Sequence, residues 1–177
     1  MKKNDLARWM TAAVFTALIF VTARFLPPVP LGNNGYVNIG DTFIYTAVLF
    51  LPTPLAVAAG ALGAALSDLT YGYMLWVIPT LIVKALIVLV AKAGYKRVRF
   101  PGLWIVGSGV VSVVGYYLAE VLLIRFFIDG GAGWRAAFGG AAVSIWGNVL
   151  QAAVCGALFL ILERMIRHIP YLKSKQI

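Results

Sequence analysis

Residues 42–67, TFIYTAVLFLPTPLAVAAGALGAALS, contain no charged side chain, and this stretch decides the class of the protein. Residues 9–23, 100–119 and 136–162 are equally free of Asp, Glu, Lys and Arg. An apolar run of about 20 residues is long enough to cross the hydrocarbon core of a bilayer as a helix. Because 62% of the 177 residues are hydrophobic, a soluble fold of this size could not bury them all. We therefore predict an all-α integral membrane protein with a single transmembrane domain over residues 1–177.

Prolines and charges divide the chain into six predicted membrane helices. Pro27 and Pro28 end the first helix, and Pro52 separates the second helix from the third. The second helix has 11 residues. It spans about 17 Å and falls short of a hydrocarbon core of roughly 30 Å. We expect it either to begin earlier or to be buried among the other helices. The predicted helices cover residues 6–26, 41–51, 55–70, 75–93, 103–127 and 135–169.

The distribution of basic residues predicts the orientation of the bundle. They cluster near the N-terminus, between the fourth and fifth helices, and near the C-terminus: Lys2, Lys3, Arg8, Lys92, Lys96, Arg97, Arg99, Arg164, Arg167, Lys173 and Lys175. Lys and Arg concentrate in cytoplasmic segments. We therefore predict a compact six-helix bundle in the plasma membrane, with both termini cytoplasmic. The formal net charge of +9 then reflects topology and contact with lipid, not nucleic-acid binding.

Motifs for enzyme chemistry and for metal binding are missing from the sequence. Cys155 is the single cysteine and His168 the single histidine, so neither a disulfide framework nor a Cys or His metal site is expected. The glycine-rich residues 130–140 lack the spacing of a phosphate-binding loop. We predict no enzyme activity, no cofactor and no metal, and any uphill transport would draw its energy from a partner or an ion gradient.

Four polar side chains fall within the outer halves of the predicted helices: Asp68, Lys84, Glu120 and Asn148. At 1.5 Å per residue, each comes within roughly 10–20 Å of the predicted outer end of its helix. Ionisable groups inside a membrane are costly and usually face a partner or a cavity. Asp68 and Lys84 could pair with each other, joining helices 3 and 4, or could contact a ligand. Gln151 is the comparable residue that the same counting places in the inner half.

Aromatic residues accompany this polar belt. Tyr116 shares a helix face with Glu120 at i, i+4, and Trp146 lies two residues before Asn148. Aromatic surfaces with a few polar groups are typical of small-molecule pockets. Asp41 has two interpretations, a main one as the cap of the second helix and a lesser one as a ligand contact. The predicted substrate site comprises Asp41, Asp68, Lys84, Tyr116, Glu120, Trp146 and Asn148.

Small residues repeat at four-residue spacing on two predicted helices. Ala13 and Ala17 share a face of helix 1, and Ala56, Gly60 and Ala64 share a face of helix 3. Such faces allow helix backbones to approach closely. We expect the face on helix 3 to pack within the protein, whereas the face on helix 1 could pack internally or dock on another membrane subunit.

The chain resembles one family in its size, its six spans and its long first outer loop. The most specific part of the resemblance is residues 36–87, YVNIGDTFIYTAVLFLPTPLAVAAGALGAALSDLTYGYMLWVIPTLIVKALI. The family is that of the S components of energy-coupling factor (ECF) vitamin transporters, in the riboflavin-type or hydroxymethylpyrimidine-type subgroup. Ala13 and Ala17 match the family's alanine-x-x-x-alanine pattern. The resemblance implies that the chain binds a vitamin or precursor from outside, with the first loop helping to close the site. It also implies docking through Ala13 and Ala17 on a scaffold subunit with two cytoplasmic ATPases, and toppling in the membrane to release the substrate.

The expected substrate follows from Glu120 and its tyrosine neighbours. A carboxylate beside aromatic rings suits an aminopyrimidine or pyridine that stacks and donates hydrogen bonds. The first expectation is a pyrimidine precursor of thiamine or a form of vitamin B6, while riboflavin, another B vitamin or a queuosine precursor remain open. Two other classes are a stand-alone small-solute carrier or channel, and a membrane assembly factor in which Asp68, Lys84 and Glu120 only pair.

Overall fold

The computed structural model of the chain describes residues 3–25, 29–31, 35–98, 100–128, 131 and 133–173. Within them, helices dominate and a single pair of short strands follows the first helix. The helices are α1 Lys3–Phe25, α2 Gly40–Phe50, α3 Thr53–Tyr71, α4 Met74–Arg97, α5 Pro101–Leu123, α6 Trp134–Ala142, α7 Ile145–His168 and α8 Pro170–Lys173. A π-helical turn, Ile124–Ile128, continues α5, and the strands are β1 Val29–Leu31 and β2 Gly35–Val37.

Five helical stretches of the described chain are long and apolar enough to cross a membrane. They are Asp5–Phe25, Thr53–Tyr71, Met74–Arg97, Pro101–Ile128 and Trp134–His168. The short helix α2 contacts α1, α3, α4 and α7, and most of its residues are buried. The expectation that this short helix is buried among the others is therefore confirmed, as is the predicted all-α membrane bundle.

The segment between α1 and α2 contains an antiparallel strand pair, where the sequence had suggested only a loop. Val29 pairs with Val37, and Leu31 pairs with Gly35. β2 lies against α7. Pro27 and Pro28, predicted to end the first helix, lie outside the described residues, and α1 ends at Phe25. Three of the basic residues used to predict the orientation are also outside them: Lys2, Arg99 and Lys175.

The last predicted helix, residues 135–169, is wrong as a single element. The structure ends α6 at Ala142 and begins α7 at Ile145. At the break, the Val143 N–H donates to the Gly140 carbonyl at 3.3 Å, and the Ser144 N–H donates to the Ala141 carbonyl at 3.2 Å. These i→i−3 bonds form a tight turn. Gly140 weakens the helix just before it, because glycine has low helix propensity.

Small residues on α3 let it pack closely against α1 and α4, as predicted. Ala56 and Gly60 are buried. A Cβ added to Gly63 would lie 2.8 Å from the Thr16 carbonyl oxygen, so only glycine permits this approach of α1. By contrast, Ala13 and Ala17 are exposed on α1. Their face is therefore not used for packing within the described part of the chain.

The two halves of the bundle are filled differently. In one half, three aromatic rings meet edge to face: the Trp104 and Phe159 ring centroids are 5.2 Å apart, and Tyr45 lies within 6.0 Å of both. The other half contains a cavity lined by the last turns of α1, α3 and α5 and the first turns of α2, α4 and α7. The helices α1, α2, α3, α4, α5 and α7 therefore alternate in direction along the chain, and the start of α1 and the end of α7 lie at the end away from the cavity.

Candidate functional site

The cavity has a volume of about 390 Å³. This lies at the lower end of the range of roughly 300–1,000 Å³ that small-molecule pockets occupy. Six of the seven residues predicted for the substrate site line it, although they come from five helices: Asp41, Asp68, Lys84, Tyr116, Glu120 and Asn148. Its lining includes three groups of residues, which we call the floor, the wall and the mouth.

The floor consists of Asp41, Lys84 and Gln151. The Lys84 Nζ donates to Asp41 Oδ1 at 2.6 Å, and the two side chains are 4% and 2% exposed. The Gln151 Nε2 donates to the second carboxylate oxygen, Oδ2, at 3.0 Å. A buried charge is tolerated when it is paired and its remaining lone pairs accept hydrogen bonds. Both oxygens of Asp41 are satisfied in this way.

These contacts correct two expectations. Asp41 does not cap α2: Ile39 occupies the N-cap position, and no side-chain hydrogen bond caps the helix there. Asn38 Oδ1 instead accepts the Gly40 N–H at 3.0 Å, which leaves the Asp41 carboxylate to point into the bundle. Lys84 is also paired with Asp41 and not with Asp68, because its ammonium reaches α2 across the cavity floor.

Gln151 was missed as a site residue because helix counting placed it in the inner half. The break before α7 shortens that helix, and Gln151 then lies only a few residues from its start. Its Oε1 accepts the Asn38 N–H at 3.3 Å, and the Cys155 Sγ donates to the Asn38 carbonyl at 3.1 Å. Gln151 thus joins the floor to the segment that leads from β2. Its i, i+3 relation to Asn148 was the signal that could have identified it.

The wall consists of Asp68, Trp76, Thr80 and Tyr116. Asp68 is 8% exposed, and its Oδ2 has no hydrogen-bond partner among the described residues. The Tyr116 hydroxyl donates to Thr80 Oγ1 at 3.4 Å. The Trp76 and Tyr116 ring centroids are 6.1 Å apart, so the two rings form an aromatic surface beside the carboxylate. The Lys84 Nζ lies 5.1 Å from the Tyr116 ring centroid, close enough for a cation–π interaction.

The mouth consists of Glu120 and Ser144. Ser144 Oγ donates to Glu120 Oε1 at 2.8 Å, and both residues are half-buried. The tight turn between α6 and α7 places Ser144 against α5, where it contacts Glu120. A single continuous helix, as predicted from the sequence, would not have suggested this contact.

Trp146 is the predicted site residue that the structure places outside the cavity lining. Its side chain is 79% exposed. On α7 the cavity is lined by Ser144, Gly147, Asn148 and Gln151, which follow the i, i+3, i+4, i+7 spacing of one helix face. Trp146 lies off this face. Among the described residues, no group of three or more His, Cys, Asp or Glu could hold a metal ion.

Comparisons with known proteins identify the family of the chain. A sequence model of the family described as "ECF-type riboflavin transporter, S component" matches residues 3–168. The chain is also 28% identical to the "Thiamine precursor transporter HmpT" of Lactococcus lactis subsp. cremoris (strain MG1363). That similarity extends over 169 residues and covers 94% of this chain and 91% of the relative. Both matches are to transporters and not to enzymes, and they confirm the resemblance noted from residues 36–87.

Proposed function

The chain belongs to the ECF-type riboflavin transporter S-component family, and on that premise we propose that it binds a pyrimidine precursor of thiamine, hydroxymethylpyrimidine, as its main substrate. It is a multi-pass membrane protein, and membership of this family implies a vitamin-type substrate and the ECF module as partner. We propose three further points: hydroxymethylpyrimidine as the precise substrate, an outward orientation of the cavity, and a location in the plasma membrane.

The observation that carries the proposal is the cavity itself. It combines a small volume, an aromatic surface at Trp76 and Tyr116, and acceptor groups at Asp68 and Glu120. A flat aminopyrimidine can stack on aromatic rings and donate its amino hydrogens to a carboxylate. The name of the Lactococcus relative supports a thiamine precursor.

Riboflavin is the second candidate, because the description of the matching family names it. Both candidates are flat heteroaromatic molecules, so an aromatic surface suits either. They differ in size and in their polar edges. A direct comparison of the two compounds is therefore the sharpest test of the substrate.

The test is calorimetric titration of the purified protein in detergent, first stripped of bound ligand and shown to be folded. We expect saturable binding of hydroxymethylpyrimidine, with riboflavin at least about tenfold weaker, a difference of about 1.4 kcal/mol. Tighter binding of riboflavin would identify riboflavin, and not hydroxymethylpyrimidine, as the main substrate. Binding of neither would favour a stand-alone carrier or an assembly factor.

Tryptophan fluorescence locates the binding event within the protein. Trp76 lines the cavity, whereas Trp146 is exposed and lies outside it. We expect Trp76→Phe to abolish most of the quenching by the ligand and Trp146→Phe, its matched control, to preserve it. The opposite pattern would place the ligand elsewhere.

Coupling to ATP hydrolysis is proposed to occur through the exposed face of α1. Ala13 and Ala17 lie on that face, while Ala12, Phe15 and Ile19 on the other side of α1 are buried. We expect Ala13→Leu with Ala17→Leu to prevent co-purification with the scaffold subunit and to abolish uptake, yet to leave ligand affinity unchanged. Retained complex formation would remove this face as the docking site.

A further inference from the structure

We propose that Asp68 is the specificity-determining residue of the cavity and that its carboxylate accepts a hydrogen bond from the ring amino group of the substrate. This inference rests on the proposed function, since it assumes an amino-substituted heteroaromatic ligand. It differs from the expectation based on the sequence, which assigned that role to Glu120.

The three carboxylates that line the cavity differ in how many of their oxygens are already used. Both oxygens of Asp41 accept hydrogen bonds from the floor, at 2.6 Å from Lys84 and 3.0 Å from Gln151. Glu120 accepts the Ser144 hydroxyl at 2.8 Å and is only half-buried, so water can reach it. Asp68 alone among the three combines burial above nine-tenths with an oxygen that has no partner within the described chain.

The position of Asp68 on α3 favours the approach of a hydrogen-bond donor to its carboxylate. The last turn of a helix carries partial negative charge from carbonyl groups that have no intrahelical partner. Asp68 lies one turn before the C-terminus of α3, and that turn contains no basic residue. A carboxylate at this end of a helix is electrostatically unfavourable unless a cation or a hydrogen-bond donor approaches it.

The backbone around Asp68 forms a defined turn that ends α3. α3 ends at Tyr71, and its C-cap is Gly72, which has a φ of +84°, in the left-handed region that glycine tolerates. The Tyr73 N–H then donates to the Asp68 carbonyl at 2.9 Å. Tyr73 also lines the cavity. The carboxylate therefore lies on a regular helix end and not on an irregular loop, and sites built on helices are more precise than sites on loops.

The aromatic surface of the wall is next to this carboxylate. Trp76 and Thr80 are one turn apart on α4, and Tyr116 bonds to Thr80 at 3.4 Å. Thr80 and Asp68 line the same cavity. In the proposed complex, a pyrimidine ring stacks on one of the two wall rings, Trp76 or Tyr116, and presents its edge to Asp68. An amino group on that edge would supply the missing donor.

The test compares two ligands and two protein variants. The ligands are hydroxymethylpyrimidine and the analogue in which hydrogen replaces the ring amino group. We expect the wild-type protein to bind the amino compound about 10- to 100-fold more tightly, the range that a hydrogen bond to a charged group provides. In Asp68→Asn and Asp68→Ala this preference should fall to within about threefold, through weaker binding of the amino compound alone.

Stability measurements separate recognition from a merely structural role. Removing a buried carboxylate with an unsatisfied oxygen should leave the melting temperature of the ligand-free protein unchanged or raise it. Asp5→Asn makes the same chemical change at the start of α1, away from the cavity, and should alter neither the melting temperature nor the preference. A structural Asp68 would instead lower the melting temperature and leave the preference intact.

Each contrary outcome has a distinct meaning. The role of Asp68 is overturned if the wild-type protein binds the two pyrimidines equally well, or if the preference survives in both Asp68 variants. In either case the proposed function stands. No binding of either pyrimidine by the folded wild-type protein overturns the proposed substrate and, with it, this assignment.

Discussion

The floor and the wall of the cavity each bury an aspartate, but the two carboxylates have different surroundings. On the floor, Asp41 is neutralised by Lys84 and receives a second hydrogen bond from Gln151. On the wall, Asp68 retains an oxygen with no partner in the described chain. Both side chains lie in helices at the same end of the bundle, and both are largely buried. Burial alone therefore does not distinguish a carboxylate whose oxygens are both hydrogen-bonded from one with an unsatisfied oxygen.

The difference shows that the hydrogen bonds of a buried carboxylate, and not its burial, indicate whether it can bind a ligand. A satisfied ion pair joins α2 to α4 and shapes the bottom of the cavity, whereas an unsatisfied acceptor is open to interaction with a ligand. The floor should consequently determine stability and the wall should determine affinity. The predictions below test this division.

The largest expected effect comes from breaking the floor. Lys84→Met leaves the Asp41 charge buried without its cation, and removing one partner of a buried pair costs about 3–5 kcal/mol. We expect the free energy of unfolding in detergent to fall by that amount. Asp68→Asn, the matched change on the wall, should cost nothing. Equal losses for the two variants would contradict the division between floor and wall.

A double variant sharpens this first prediction. Combining Lys84→Met with Asp41→Leu removes both charges, so no buried ion remains unpaired. Apolar replacement of a buried pair is often neutral. We therefore expect the double variant to recover most of the stability that Lys84→Met loses. Failure to recover would mean that the Lys84 side chain supports the fold by packing and not through its charge.

The second prediction concerns the charge of the ligand. Three carboxylates and one ammonium line the described part of the cavity, and that ammonium is already bonded to Asp41. A phosphate ester would bring negative charge against Asp68 and Glu120, and like charges in a partly desolvated site cost several kcal/mol. We expect the phosphate ester of hydroxymethylpyrimidine to bind at least about 100-fold more weakly in calorimetric titration.

The methyl ether of hydroxymethylpyrimidine is the control for this effect. It adds bulk at the same position without adding charge. We expect its affinity to lie much closer to that of the parent compound. If ether and phosphate ester were equally weak, steric exclusion would explain the result and the charge argument would fail.

The third prediction tests the amide that completes the floor. Gln151→Leu leaves Asp41 Oδ2 and the Asn38 N–H without their partner. Loss of hydrogen bonds to buried groups costs about 1–3 kcal/mol. We expect a loss of stability in that range, measured as a shift in chemical unfolding. Asn148→Leu, on the same face of α7, should cost less.

Much of the fold was predictable because the hydrophobic pattern of a membrane helix extends over many residues. The predicted bounds of α2, residues 41–51, differ by one residue from Gly40–Phe50. The break between α6 and α7 was not predictable from hydropathy, because Val143 is apolar and Ser144 is small and uncharged. A membrane helix accommodates both residues, and only the backbone bonding shows the turn.

The pairing within the site was harder to predict than its composition. Helix counting brought Asp68, Lys84, Glu120 and Asn148 to one end of the bundle, where the structure has them. It could not reveal that Lys84 reaches Asp41 on α2. Counting residues along a helix gives the depth of a side chain in the membrane but does not show which other helix that side chain faces. For the same reason it could not show that Trp146 lies off the cavity face of α7.

The smallest expected effect lies at the mouth. Ser144→Ala removes the hydroxyl that Glu120 accepts at 2.8 Å, but Glu120 is half-buried and water can replace the lost donor. We expect the affinity for hydroxymethylpyrimidine to change by less than about threefold, or roughly 0.6 kcal/mol, and the stability to remain the same. Asp68→Asn measured in parallel should lower the affinity far more. A larger effect of Ser144→Ala than of Asp68→Asn would show that Glu120 must be held in place by Ser144 to bind the ligand. The mouth, and not the wall, would then recognise the substrate.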